Sequence, residues 1–338
     1  EKPKNSQAYD AYLQAKFHFN KRSQKHNLKA MQLLERALSL DPEFALGYAT
    51  LARVNIEQFF TYDPKEQWEK RAYVALEKAR ALDEDLADIY LAKGNLLWTR
   101  ENGFPHADAI KAYIHSIKKD PMLSEAYNEL SRVTWHVGLL DLAYAASLKT
   151  TQLDPYFTDG HFRFGWLEIH RGNLDAALAL LRRVPEGSLA PSTDVLISQC
   201  LLFMDRKEEA FNRLDSIPQS LHADADYCGM KGVFQALKGD GKGAEFWIQE
   251  AIKYGQRLGH FHHITCNIAE AYSILQELPK AIKWIRYTIQ DGFPCYPWLI
   301  SNPCFENLRE QPEFNEILES TRVEMESYRT LTKDFFIE

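Results

Sequence analysis

Apolar positions along the chain fall into paired helical segments, and a ladder of alanines keeps the pairs in step. Ala109, Ala143, Ala177, Ala210 and Ala244 are separated by 34, 34, 33 and 34 residues. Longer gaps extend the ladder back to Ala72 and Ala30, and Ala281 extends it forward. A fixed period of this size marks stacked units, each too small to bury its apolar face alone. Small residues recur twelve positions before several rungs, at Ser131, Gly165, Ser198, Gly232 and Ala269. Where two antiparallel helices cross, only small side chains let the backbones approach, and larger ones overpack the contact. Each unit is therefore predicted to be a hairpin of helix A and helix B.

The predicted A helices run near 8–21, 44–60, 86–100, 123–137, 157–171, 192–204, 223–238 and 261–276. The predicted B helices run near 27–40, 66–82, 106–119, 140–153, 174–183, 207–216, 242–256 and 279–290. Strand signals are absent. Pro42, Pro121 and Pro155 each follow an Asp where helix B ends, since proline cannot continue a helix. Gly138, Gly172 and Gly239 fall at the A–B turn, where a positive φ is often required.

Tyr127, Ser131, Ala143 and Pro155 carry most of one repeat. The pattern is an early aromatic, a small residue four later, an alanine on helix B and a closing proline. It resembles the tetratricopeptide repeat over residues 8–292, in about eight units. The resemblance implies an all-α, right-handed α–α superhelix. The first three units carry insertions, the longest around Glu57–Trp68. Unit six lacks its proline and enters through the Pro/Gly/Ser-rich segment Val184–Thr193, read as a bend between two sub-arrays, 1–185 and 186–292. The remainder, 293–338, reads as a cap. Phe293, Trp298, Leu299, Phe305 and Leu308 would cover the last apolar face. A final helix near 312–330 would then turn the surface polar with Glu316, Glu319 and Glu324. Phe335, Phe336 and Ile337 read either as a free tail or as a segment that docks on a groove.

The ends carry a narrower resemblance. The opening segment Ala8–Arg22 and the closing segment Gly292–Phe314 are similar to the borders of repeat regions in bacterial multidomain regulators. There the repeats follow a winged-helix DNA-binding domain, a class III cyclase or a Ser/Thr kinase. The resemblance implies a regulatory or sensory arm, and a first residue of Glu1 rather than Met fits an effector module preceding it.

Composition excludes several other roles. The chain has 338 residues, 45% apolar and 26% charged, with a net charge of −7. This suits a folded protein and disfavours direct nucleic-acid binding. No apolar run reaches the roughly 20 residues that span a bilayer, and no signal peptide is visible. The five cysteines are scattered without a C-x-x-C pair, which fits buried thiols in a reducing compartment. A cytoplasmic location is expected, or a periplasmic one if the repeats belong to a membrane-anchored regulator.

No phosphate loop, G-x-S-x-G, H-E-x-x-H or kinase loop occurs, so no enzyme activity and no cofactor are expected. Gly239–Gly243 reads as an A–B turn. His262 and Cys266, four apart in Gly259-His-Phe-His-His263, are the best metal pair. They lack further ligands nearby, so no metal site is expected. By register, Asn95, Trp98, Asn128, Arg132, Trp135, Phe162, Trp166 and His170 line the concave side of the A helices, although the tryptophans equally suit the core. Aromatics and Arg are typical anchors, and Asn can pair with a peptide backbone. Some tetratricopeptide domains clamp a C-terminal carboxylate, and Asn95, Asn128 and Arg132 match the residue types. Leu91 and Phe162 stand where polar clamp residues are wanted. The expected function is recognition of a protein or peptide. The alternative is a small-molecule sensor with an aromatic pocket around Trp98, Trp135 and Trp166.

Overall fold

A computed structural model describes residues 4–155, 160–185 and 189–335. The described residues are helical throughout, with no strand among them. The chain divides into two compact units, residues 1–130 and 131–338. The junction expected at 185/186 lies inside the second unit, and its entry segment includes residues 186–188, outside the described ones. Phe336 and Ile337 of the tail also lie outside them.

The first unit contains α1 (Ser6–Phe19), α2 (Gln24–Leu40), α3 (Ala45–Glu57), α4 (Glu66–Leu82), α5 (Ala87–Leu97) and α6 (His106–Lys119). It ends within α7 (Ser124–His136). The second contains α8 (Leu140–Leu153), α9 (Gly160–His170), α10 (Leu174–Leu181), α11 (Ser192–Phe203), α12 (Lys207–Asp215) and α13 (Ala225–Leu237). It continues with α14 (Gly241–Gly255), α15 (Phe261–Ile274), α16 (Leu278–Gln290), α17 (Tyr296–Ser301) and α18 (Pro312–Thr332). Odd helices through α15 are the A helices and their even successors the B helices. Starts are set locally. Asn5, Ser23 and Asp224 accept hydrogen bonds from first-turn amides of α1, α2 and α13, satisfying donors that the helix leaves open.

The ladder works as packing. All eight rungs, from Ala30 to Ala281, are fully buried at 0% exposure. Their partners on the A helices are close. A Cβ on Gly165 would stand 2.6 Å from Leu181 Cγ and 3.3 Å from the Ala177 carbonyl oxygen. Ser131 Oγ donates to the Ala143 carbonyl at 2.8 Å, so this hydroxyl is satisfied inside the crossing. At the A–B turns Gly138, Gly172 and Gly239 have φ of 83°, 79° and 73°. Asp205 and Gln276 hold the same left-handed conformation in their own turns.

Two features depart from the expected pattern. Helix A, expected to run to residue 60, ends as α3 at Glu57, and the insertion opens as a π-helical turn, Gln58–Tyr62. The cap is more structured than a covering segment, with α17 and a 3-10 turn at Pro303–Leu308 preceding α18. Phe293, Trp298, Leu299, Phe305 and Leu308 are buried as expected. Glu316 and Glu319 are exposed, while Glu324 is half-buried and accepts from the Tyr328 hydroxyl. The five cysteines are free thiols.

Ala177→Leu should destabilise the chain by roughly 1–3 kcal/mol through overpacking at the α9–α10 crossing. Ala176→Leu, one position round on the exposed face, should change stability by no more than about 0.5 kcal/mol. Denaturant melts of the two variants check the register, which is wrong if they are equally stable.

Candidate functional site

The inner faces of the A helices differ in chemistry between the two units. In the first unit α1, α3, α5 and α7 present Lys16, Arg53, Asp88 and Glu125. Lys16 Nζ lies 3.1 Å and Arg53 a looser 3.9 Å from Glu125 Oε1. Burial pushes the Glu125 carboxyl up, but Arg53 and Lys16 outweigh it and bring it down to about 2. Asp88 goes the other way, because burial and the Glu125 charge exceed the pull of Arg53 and Lys16. One charge network thus joins four helices in sequence order.

The same helices carry a row of asparagines. Asn55 Nδ2 donates back to the Leu51 carbonyl at 2.8 Å, and Asn128 Nδ2 donates to Glu129 Oε1 at 2.8 Å. The Oδ1 atoms of Asn55, Asn95 and Asn128 are buried without a hydrogen-bond partner among the described residues. A buried acceptor left in this state costs about 1–3 kcal/mol, so each is an incentive to bind a donor. Trp98 is as buried as these asparagines, at 4% exposed, and its indole is already engaged, Nε1 donating to His106 Nδ1 at 2.9 Å.

In the second unit the inner face is filled. Trp135 packs against Trp166 at 4.6 Å between ring centroids and against His263 at 5.2 Å. Its Nε1 donates to His170 Nδ1 at 2.6 Å. Burial lowers the His170 ring to about 3, so it is a neutral acceptor. A cavity of about 30 Å³ remains, lined by Phe162, Trp166, His170, His263, Phe293 and Trp298 among others. That volume holds a water or two rather than a metabolite. Arg132 donates to His260 Nε2.

Two acids, half-buried Asp226 and fully buried Glu270, border this region. Asp226 lines the cavity and accepts from Ser192 Oγ at 2.7 Å. Burial and the neighbouring Asp224 push it up to about 6. Glu270 is fully buried. Burial raises it to about 7 against hydrogen bonds from Asn302, Gln199 and Trp298.

His262 is the meeting point of a larger histidine cluster. It stands with His136, His260 and His263, one ring nitrogen of each lying within 4.8 Å of the others. The sequence pairing of His262 with Cys266 is not what assembles. Burial, followed by the Glu270 charge, lifts the Cys266 thiol well above its usual range, away from the thiolate a metal needs. His136, the residue that completes the cluster, is 126 positions from His262, beyond any local motif.

Comparison with known proteins places the fold. No family model matches the chain. A tetratricopeptide repeat protein from Parabacteroides merdae superposes with a TM-score of 0.52 at 14% identity, covering 78% of this chain and 99% of that one. A human IFIT1 dimer with PPP-AAAA gives 0.55 at 13% identity, covering 83% and 72%. The chain has the tetratricopeptide fold. In sequence it is similar to Hsp70-Hsp90 organizing protein 1 of Glycine max, 28% identical over 113 residues, or 33% of this chain. The chain spans about a fifth of that relative's length, 19%. Among the described residues no helix is long and apolar enough to cross a membrane.

The raised Glu270 gives a signed prediction. The folded state holds this proton up to about pH 7, whereas the unfolded chain releases it near 4.5. Its contribution is therefore fully present below 4.5 and is lost as pH rises through 7. The buried histidines titrate with the opposite sign, but they cancel in a comparison of variants. Glu270→Gln should match wild type near pH 4.5 and be more stable at pH 8, by up to about 3 kcal/mol. Thermal melts across this range check it, and a constant offset would contradict it.

Proposed function

We propose that the chain is a protein-interaction module, the regulatory region of a larger multidomain regulator, acting by recognition rather than catalysis. The observation that carries this reading is the row of unpartnered asparagine oxygens on α3, α5 and α7. Three acceptors held on successive A helices suit an extended peptide, whose backbone amides point to alternate sides along its length. Because each Oδ1 is buried, such a ligand reaches it only as the covering side chains move aside, and a hydrogen bond then replaces the unmet acceptor whatever the ligand's side chains. Lys16, Arg53 and Glu125 then supply charge that selects among sequences. The similarity to an Hsp70-Hsp90 organizing protein supports the class of activity. The similarity of the chain's ends to regulator repeat regions supports its context, and free thiols support a cytoplasmic setting.

The sensor alternative loses its main support. It needs an enclosed cavity of about 300 Å³ or more, and the aromatic cluster around Trp135 and Trp166 leaves about 30 Å³. Of the residues expected to form the site, Asn95 and Asn128 are retained as peptide contacts. Trp98 and Trp135 serve as packing, and Phe162, Trp166 and His170 enclose the small cavity. Arg132 is tied to His260.

The test is selection of a random peptide library on the purified chain, followed by affinity measurement with an Asn95→Ala/Asn128→Ala variant. Two lost hydrogen bonds of about 1 kcal/mol each should weaken a selected peptide about tenfold or more. Two unmet buried acceptors are gone, but Glu129 loses its Asn128 donor, so thermal melts establish that the variant is folded at the temperature of the binding measurement. Full affinity in the double variant, or no peptide selected, would contradict the reading.

A further inference from the structure

We propose that His136, His260, His262 and His263 form a binding site for a divalent transition metal of the imidazole-seeking class, with zinc as its representative. The case begins with tautomers. His136 Nδ1 lies 2.7 Å from the Arg132 carbonyl oxygen, and His262 Nδ1 lies 2.5 Å from the Asp291 carbonyl oxygen. A carbonyl only accepts, so both Nδ1 atoms carry the proton and both Nε2 atoms carry a lone pair. Yet these two Nε2 atoms face each other at 3.1 Å. His260 Nδ1 also lies 3.1 Å from His262 Nε2 and carries its ring's proton, because Arg132 donates to His260 Nε2, so three ring nitrogens converge on one point.

A metal ion fits the distances. Tetrahedral zinc with bonds of about 2.0–2.1 Å separates its ligand nitrogens by about 3.3 Å. His136 Nε2 and His260 Nδ1 are each 3.1 Å from His262 Nε2, and all four ligand nitrogens lie within 4.8 Å of one another, so the wider pairs close by up to about 1.5 Å around an ion. Four neutral imidazoles favour zinc and its neighbours over oxygen-seeking magnesium or calcium.

The surroundings are those of a supported site. Asp291 stands behind His262, its carboxylate 3.6 Å from Nδ1 beside the nearer carbonyl. Such partners fix ring orientation and raise ligand basicity. Trp135, Trp166 and Phe293 pack around His263. The opposing charges are Arg132, which donates to His260 Nε2, and Arg163 nearby. Ligation through His260 Nδ1 moves that ring's proton to Nε2 and turns the Arg132 guanidinium away, with no net proton change at His260. Metal loading is thereby linked to the position of Arg132.

The experiment uses the whole chain, stripped with a chelator and titrated with zinc by calorimetry, with magnesium as control. Thermal melts are recorded alongside. One zinc per chain should bind with a Kd below micromolar and raise the melting temperature, while magnesium does neither. His136→Gln and His260→Gln should each weaken zinc at least tenfold, and their metal-free melts show whether the fold is intact. The half-buried His260 covers the case in which His136→Gln fails to fold. His18 and His26, whose rings also meet in the first unit, provide the competing location. No zinc uptake, or uptake lost in His26→Gln and retained in both cluster variants, would overturn the assignment.

Discussion

A small side chain at every crossing of helix A with helix B is the constraint on which the rest of this structure depends. The eight ladder alanines are entirely buried, and at Gly165 even a methyl group would collide with Leu181. Close approach of the paired backbones uses up one face of each A helix. Its inner face is then released from the task of holding its own hairpin together, and can carry other chemistry. Both candidate surfaces of this protein lie on those released faces.

The two units spend that freedom differently. In the first, polar groups occupy it: the asparagine oxygens and Arg53 Nε remain without partners, while Glu125 faces both Lys16 and Arg53. Unmet acceptors are costly in an isolated fold and useful in one that binds. In the second unit aromatics and histidines fill the inner face, and the polar atoms that remain are mostly paired: Trp135 with His170, Arg132 with His260, Glu270 with Asn302. Such a face gains stability and loses room for a ligand larger than an ion or a water. Burial then dictates protonation, keeping His170 neutral and raising Glu270 to about 7.

Periodicity made the hairpins legible. The helix near 140–153 is α8, Leu140–Leu153, and the helix near 106–119 is α6, His106–Lys119. A 34-residue step reports local packing, which repeats, so the alanine rungs and the turn glycines were readable directly. The inner faces were legible only in part. Register placed Asn95 and Asn128 on A helices, where α5 and α7 carry them, because a side chain's direction follows from its helix position. It could not tell which inner face was filled. Trp135 and Trp166 meet His263 nearly a hundred residues away or more, and those distances depend on how successive hairpins rotate, which no single repeat encodes. The histidine cluster was hidden for the same reason. His260, His262 and His263 stand together in sequence, but His136 joins them only through the fold.

Hydrogen–deuterium exchange of the whole chain, with and without a peptide that binds it, tests the central claim that recognition occurs on the inner face of the first unit. The account predicts new protection in α3, α5 and the first half of α7, with the B helices and α18 unchanged. Protection confined to α18 or to the B helices would contradict it.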